Sequence, residues 1–151
     1  VEGEEAKQRV NDASMEGRLH CIPRLPFNAL RRLTSSADVG LSLDKGGHGN
    51  HELSLPNKLF DFMHAGLPVV VTARKEVAAI VNGCGLGVVV EHATPDALKT
   101  AVEEVLAHPR EEWRKALSKA SKDFHWGVDE PQIERALKRC LNAHLAGSQA
   151  K

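Results

Sequence analysis

Val69-Val70-Val71-Thr72 is a run of four β-branched residues with no polar alternation. A strand with one wet face alternates apolar and polar side chains. An unbroken run is instead the pattern of a strand covered on both faces, as in a parallel sheet between helices. The residues before it define a helix. Leu59, Phe60, Met63 and Ala65 give an apolar face, Gly66 suits the helix end, and Pro68 stops any continuation. Ser54 is expected to cap this helix, and Pro56 to fall in its first turn, where a missing N–H costs nothing.

The same alternation of short apolar strands and helical patterns recurs along the chain. Strands are expected at Arg18–Ile22 (ended by Pro23), Ala37–Leu43 and Val88–Val90. A polar helix is expected over residues 4–16, and a second over Phe27–Ser35 with Leu30 and Leu33 inward. A third should cover Arg74–Asn82, followed by a glycine-rich turn over Gly83–Gly87. Three helices close the chain. Thr94-Pro95 opens one, with Leu98, Ala101, Val102 and Val105 on one side. The next spans Glu111–Phe124 and carries a solvated charged face with pairs such as Glu111–Lys115. The last spans Pro131–Leu145, with Ile133, Leu137, Cys140, Leu141 and His144 spaced for one buried stripe. Between these two, Trp126 reads as a packing anchor and His125 as a helix boundary. The fold class is α/β, a mostly parallel sheet flanked by helices with a helical C-terminal tail, and residues 1–151 read as a single domain. No strong strand precedes residue 17, so the sheet's first strand is expected to be truncated and the chain to be a piece of a longer protein.

Charge and cysteine content exclude several classes of function. Twenty Lys and Arg balance twenty Asp and Glu, so no net field draws the chain to nucleic acid. No apolar run reaches the roughly 20 residues that span a bilayer, and the acidic start is not a secretory signal. Three cysteines lie far apart without a CxxC pair, which fits a reducing, cytoplasmic setting and small core residues rather than disulfides. His48 and His51 lack the i, i+4 register of a zinc helix, so neither a metal nor another cofactor is expected.

The chemistry concentrates where a glycine-rich loop meets a helix start. A helix N-terminus carries several N–H groups without intrahelical acceptors and about half a positive charge, so it favours a phosphate. Lys58 opposes the helix dipole there, which makes sense if a polyanion sits in front of it. Gly46, Gly47 and Gly49 would let the backbone approach that anion closely. Asp61, about a turn further on, is placed to accept hydrogen bonds from vicinal ribose hydroxyls. A capped helix with a solvated face and a flexible loop accounts for the same spacing.

The stretch Ser-Leu-Pro-Asn-Lys-Leu-Phe-Asp-Phe-Met-His-Ala-Gly-Leu-Pro-Val-Val-Val (Ser54–Val71) resembles the donor-site signature of group 1 glycosyltransferases, the retaining GT-B enzymes. These commonly read Pro-Asn-Lys-Leu-Phe-Glu-Tyr-Met-Ala-Ala-Gly-Leu-Pro-Val-Val there. Leu33–Leu43, residues 76–90 and Phe124-His125-Trp126 are similar, in order, to neighbouring parts of the same domain. The resemblance implies a Rossmann-like domain, the C-terminal half of a GT-B fold, that binds a UDP- or GDP-linked sugar for transfer with retention to a glycan or lipid-linked acceptor. An N-terminal acceptor domain and peripheral membrane association would belong to the parent protein. Asp61 stands where the family has a ribose-binding glutamate, one methylene longer. Ser54, Asn57 and Lys58 would hold the diphosphate, and Arg24, within Pro23–Leu25, would lie near the base. Many members carry another glutamate eight positions before the ribose one; here that position is Leu53, with Glu52 adjacent. Either Glu52 turns inward as a catalytic group beside Lys58, or Asn50 or His51 faces the sugar. Glu76 either covers the donor sugar or is a surface glutamate. A nucleotide-sugar epimerase of the same fold, and a degenerate half serving as a scaffold, remain open alternatives.

Overall fold

The computed structural model describes residues 18–20, 22–43 and 54–148, the last six by backbone alone. The chain divides into two compact units, Val1–Arg32 and Leu33–Lys151. In the first, Arg18–His20 and Ile22 form no strand, contrary to the sequence expectation, and their side chains are exposed. Cys21 and the helix expected over residues 4–16 lie outside the described residues. Helix α1, Phe27–Ser36, begins with the Ala29 and Leu30 N–H groups bonded to the Pro26 carbonyl and runs across the boundary between the units. Its Leu30 and Leu33 are exposed rather than inward. Their spacing marks one helix face but does not specify what covers it.

The second unit is built on a parallel three-stranded sheet in the order β1 (Gly40–Ser42), β2 (Val69–Thr72), β3 (Gly87–Val90). Gly40 pairs with Val69 and Val69 with Gly87, so the strand ends are nearly level. β1 is shorter than Ala37–Leu43. Ahead of it, Arg110 donates to Asp38 Oδ1 at 3.0 Å and to the Ala37 carbonyl at 3.3 Å.

Helices cover both faces, as the unbroken valines require. Val69 and Val71 pack with Leu59 and Met63 of α2 (Asn57–Ala65), Val77 and Val81 of α3 (Lys75–Cys84), and Leu117 and Ala120 of α5 (Arg110–Asp123). Val70 faces the other way, onto Ala101 and Val105 of α4 (Pro95–Ala107), with Leu98 and Val102 partly buried beside them. The period of two between Val69, Val70 and Val71 is therefore real, but each face has its own helical layer. The result is a Rossmann-like α/β arrangement ending in a helical tail, α6 (Trp126–Ser148).

Gly66 ends α2 in the left-handed region, φ 70° and ψ 30°. Its N–H donates to the Met63 carbonyl at 3.1 Å, and the Leu67 N–H to the Phe62 carbonyl at 3.0 Å, the double bond of a Schellman end. A Cβ at Gly66 would meet nothing within 4 Å. Gly66→Val should therefore lose only the backbone term, about 1–2 kcal/mol. An unchanged melting temperature would show that the left-handed cap carries no stability.

The tail departs most from expectation. α6 starts at Trp126 rather than Pro131, with Pro131 inside it. At its start His125 Nδ1 accepts from the Gly127 N–H at 3.0 Å and the His125 carbonyl from the Val128 N–H at 2.9 Å. His125 thus closes the boundary assigned to it. The stripe of Ile133, Leu137, Cys140 and Leu141 is exposed, not buried, and the His144 side chain lies outside the described residues. Trp126 is 64% exposed and anchors no core. Trp113 takes that role: its ring packs against both core clusters, and its indole N–H donates to the Val105 carbonyl at 3.1 Å. Cys84, partly buried, packs against the first cluster, whereas Cys140 does not fill a core position.

Candidate functional site

In a parallel sheet all strands end on one edge, and each following helix begins there. Ser42, Thr72 and Val90 mark that edge, and α2, α3 and α4 start beside it. Open α/β sheets bind ligands in the crevice at this carboxyl edge.

The helix starts differ in their capping. At α4, Thr94 Oγ1 accepts from the Ala97 N–H at 3.3 Å, so the helix closes on its own side chain. At α2 the N-cap residue is Pro56, with φ −71° and ψ 135°, and no side chain caps it. The N-cap position falls on Pro56 rather than on Ser54, because the helix begins at Asn57, one residue past the proline. The Leu59 N–H bends back to the Pro56 carbonyl at 3.0 Å. At α3 the N-cap is Arg74, also without a side-chain cap. At neither of these two adjacent helix starts does the N-cap residue close the first turn with its own side chain.

The side chains of α2 divide by face. Leu59 and Met63 enter the core, while Asn57 and Asp61 are exposed one turn apart and Lys58 is half-buried between them. The structure therefore brings Ser54, Asn57, Lys58 and Asp61 together at or just before the first turns of one helix. Lys58 and Ser54 both have polar partners. Arg24 is exposed in the irregular segment ahead of α1, in the first compact unit. Gly46, Gly47, Gly49, Asn50, His51, Glu52 and Leu53 lie outside the described residues. Glu76 is half-buried in the first turn of α3, where an acidic side chain complements the dipole.

Two residues at this edge were not singled out by sequence. Ser42, the last residue of β1, is 2% exposed, and Arg74, two residues past β2, is 4% exposed. The signal for Arg74 was its place: a cation directly after a buried strand, at the carboxyl end of a parallel sheet. Among the described residues no group of three or more His, Cys, Asp or Glu side chains is arranged to hold a metal. None of the described helices is long and apolar enough to cross a membrane. The charged face of α5 is also simpler than expected: no Glu111–Lys115 pair forms, and Glu112 instead meets His108 at 3.0 Å.

A family model described as Glycosyl transferases group 1 matches residues 2–108, which includes the sheet, α1 through α4 and the whole carboxyl edge. Searches of curated proteins and of solved structures give no significant match.

Proposed function

The chain belongs to the group 1 glycosyl transferases, and from that premise we infer that it is the donor-binding half of a two-domain, retaining enzyme of this family. Its substrate on this reading is a nucleotide-diphosphate sugar, and the acceptor is a glycan or lipid-linked saccharide held by an N-terminal half. The observation that carries the reading is Asn57, Lys58 and Asp61 on the first turns of a helix that starts, without a side-chain cap, at the sheet's carboxyl edge.

Breaking the bond between the anomeric carbon and the diphosphate oxygen builds negative charge on the leaving group. A helix start and a lysine already in place stabilise that charge without having to reorganise. Asn57 and Ser54 donate hydrogen bonds to phosphate oxygens. Asp61 accepts from the ribose hydroxyls, and its exposure on α2 leaves it accessible to them. On this reading Gly46 and Gly47 are assigned to the diphosphate and Glu52 to the sugar. The acceptor and any general base come from the other half, so this chain alone binds the donor without transferring it.

Asp61→Ala tests the assignment because it removes a surface carboxylate that supports no core contact. Calorimetric titration with UDP, GDP, ADP and dTDP should show binding of one of them, weakened about 10- to 100-fold in the variant, the scale of hydrogen bonds to a charged group. Equal affinity in the two proteins would remove Asp61 from the site. Absence of binding by a folded chain would favour the scaffold alternative.

A further inference from the structure

We propose that the outer face of α5 is an electrostatic docking surface for an anionic lipid bilayer, with Arg114, Lys115, Lys119 and Lys122 as the contacting cations. The proposal does not rest on the donor-binding reading and uses none of its residues.

The first observation is which side chains share this face. α5 buries Leu117 and Ala120 and packs Trp113 against both core clusters. Its other side carries Glu111, Arg114, Lys115, Ser118, Lys119 and Lys122, which line one open hollow and are all exposed. Four cations therefore face solvent beside a single carboxylate. Glu112, the other acid of the first turn, is engaged by His108 at 3.0 Å. Among the described residues none of the four cations has an ion pair or hydrogen bond.

The second is spacing. Lys115 and Lys119 stand four residues apart, and Lys119 and Lys122 three. Like charges at these separations are neighbours on a helix surface and weaken the helix. A helix face made only to be wet gains from alternating signs, as in the Lys138–Glu134 pair of α6 at 3.0 Å. The outer face of α5 forgoes that gain, and an external polyanion supplies what it lacks.

The third is sorting of charge. The chain as a whole is neutral, with twenty basic and twenty acidic residues. Yet α4, immediately before α5, exposes Asp96, Glu103 and Glu104 against Lys99 alone. A neutral molecule whose charges are separated helix by helix is turned by a charged surface so that one face meets it.

The make-up of the face selects the partner. It has no apolar or aromatic anchor of the kind that carries the energy of a protein interface. It also has no ring to stack on a base and no amide to read a base edge, because Trp113 points inward and its indole N–H donates to the Val105 carbonyl. Three of the four cations are lysines, compact charges on flexible stems that need no fixed acceptor geometry. Mobile lipid phosphates suit such groups, and a cluster of four or more Lys and Arg on a helix is enough to hold an anionic membrane surface.

The test is cosedimentation of the whole chain with phosphatidylglycerol–phosphatidylcholine vesicles and with phosphatidylcholine vesicles. Saturable binding to the anionic vesicles alone is expected at physiological salt, and its loss at about 1 M salt, where the screening length falls to about 3 Å. Lys115→Gln, Lys119→Gln and Lys122→Gln combined should weaken it about 100-fold, at about 5-fold per cation. The same number of cations removed from α6, by Arg135→Gln, Lys138→Gln and Arg139→Gln, should leave binding within about 5-fold of the unaltered chain. The α5 variant should keep or raise its melting temperature, since it removes like-charge neighbours. Failure of the unaltered chain to bind anionic vesicles would overturn the proposal. So would an equal loss in the α6 variant, which would make the attraction a matter of total charge, or tighter binding to duplex RNA than to vesicles at equal phosphate.

Discussion

Gly87→Ala is expected to lower stability by at least about 3 kcal/mol, a large part of the roughly 5–15 kcal/mol that holds a domain together. Gly87 opens β3 directly opposite Val69. A Cβ there would overlap the Val69 carbonyl oxygen and lie 2.7 Å from both its carbonyl carbon and its nitrogen. No flexible side chain is available to move aside, because every atom met is backbone of the central strand. Relief requires parting β2 from β3, and β2 is the strand that the helical layers on both faces share. The melting temperature should fall by about 6–12 °C or more. Gly83→Ala is the control: it lies near the end of α3 with nothing within 4 Å of its added Cβ. It should be neutral or stabilising by up to about 1 kcal/mol. Equal melting temperatures for Gly87→Ala and the unaltered chain would refute the close approach of these two strands.

Leu117→Ala should destabilise by about 2–5 kcal/mol, the range for a fully buried leucine whose surroundings close only partly over the cavity. Leu117 has no exposed surface and belongs to the cluster that joins α5 to α2, α3 and the sheet. The same contact is reinforced at the end of α5. His64 of α2 hydrogen-bonds through Nε2 to the Phe124 carbonyl at 2.9 Å, and the Phe60 and Phe124 rings lie 6.1 Å apart. Leu137→Ala, on the exposed stripe of α6, should by contrast change unfolding free energy by less than about 0.5 kcal/mol in the isolated chain. Chemical denaturation of the two variants separates the cases. A small Leu117→Ala effect would mean that α5 is not part of the core.

That contrast also marks where the sequence was legible. Runs of valine identified β2 and β3 because strands buried on both faces have no alternation to misread. Pro56 and Gly66 bounded α2 to within a residue or two because proline and glycine act through their own backbone. Thr94-Pro95 marked the opening of α4 for a similarly local reason. What failed was non-local. Leu30, Leu33, Ile133, Leu137 and Leu141 lie at helical spacing, and spacing tells which residues share a face without telling whether another element lies against it. Trp126 and Trp113 look alike as residues, and only the packing of α5 between the two clusters decides which is the anchor. At the site, Asn57, Lys58 and Asp61 were found from a local helix start. Arg74 was missed because its burial depends on the strands and helices converging around it.

The most direct test of the account is an amide shift map of the whole chain titrated with UDP and GDP. The account predicts saturable shifts for one of them, concentrated at Ser54–Asp61 and at Thr72–Glu76 along the carboxyl edge of the sheet. Shifts centred on α5 or α6, or no shift from a folded chain at millimolar nucleotide, would contradict it.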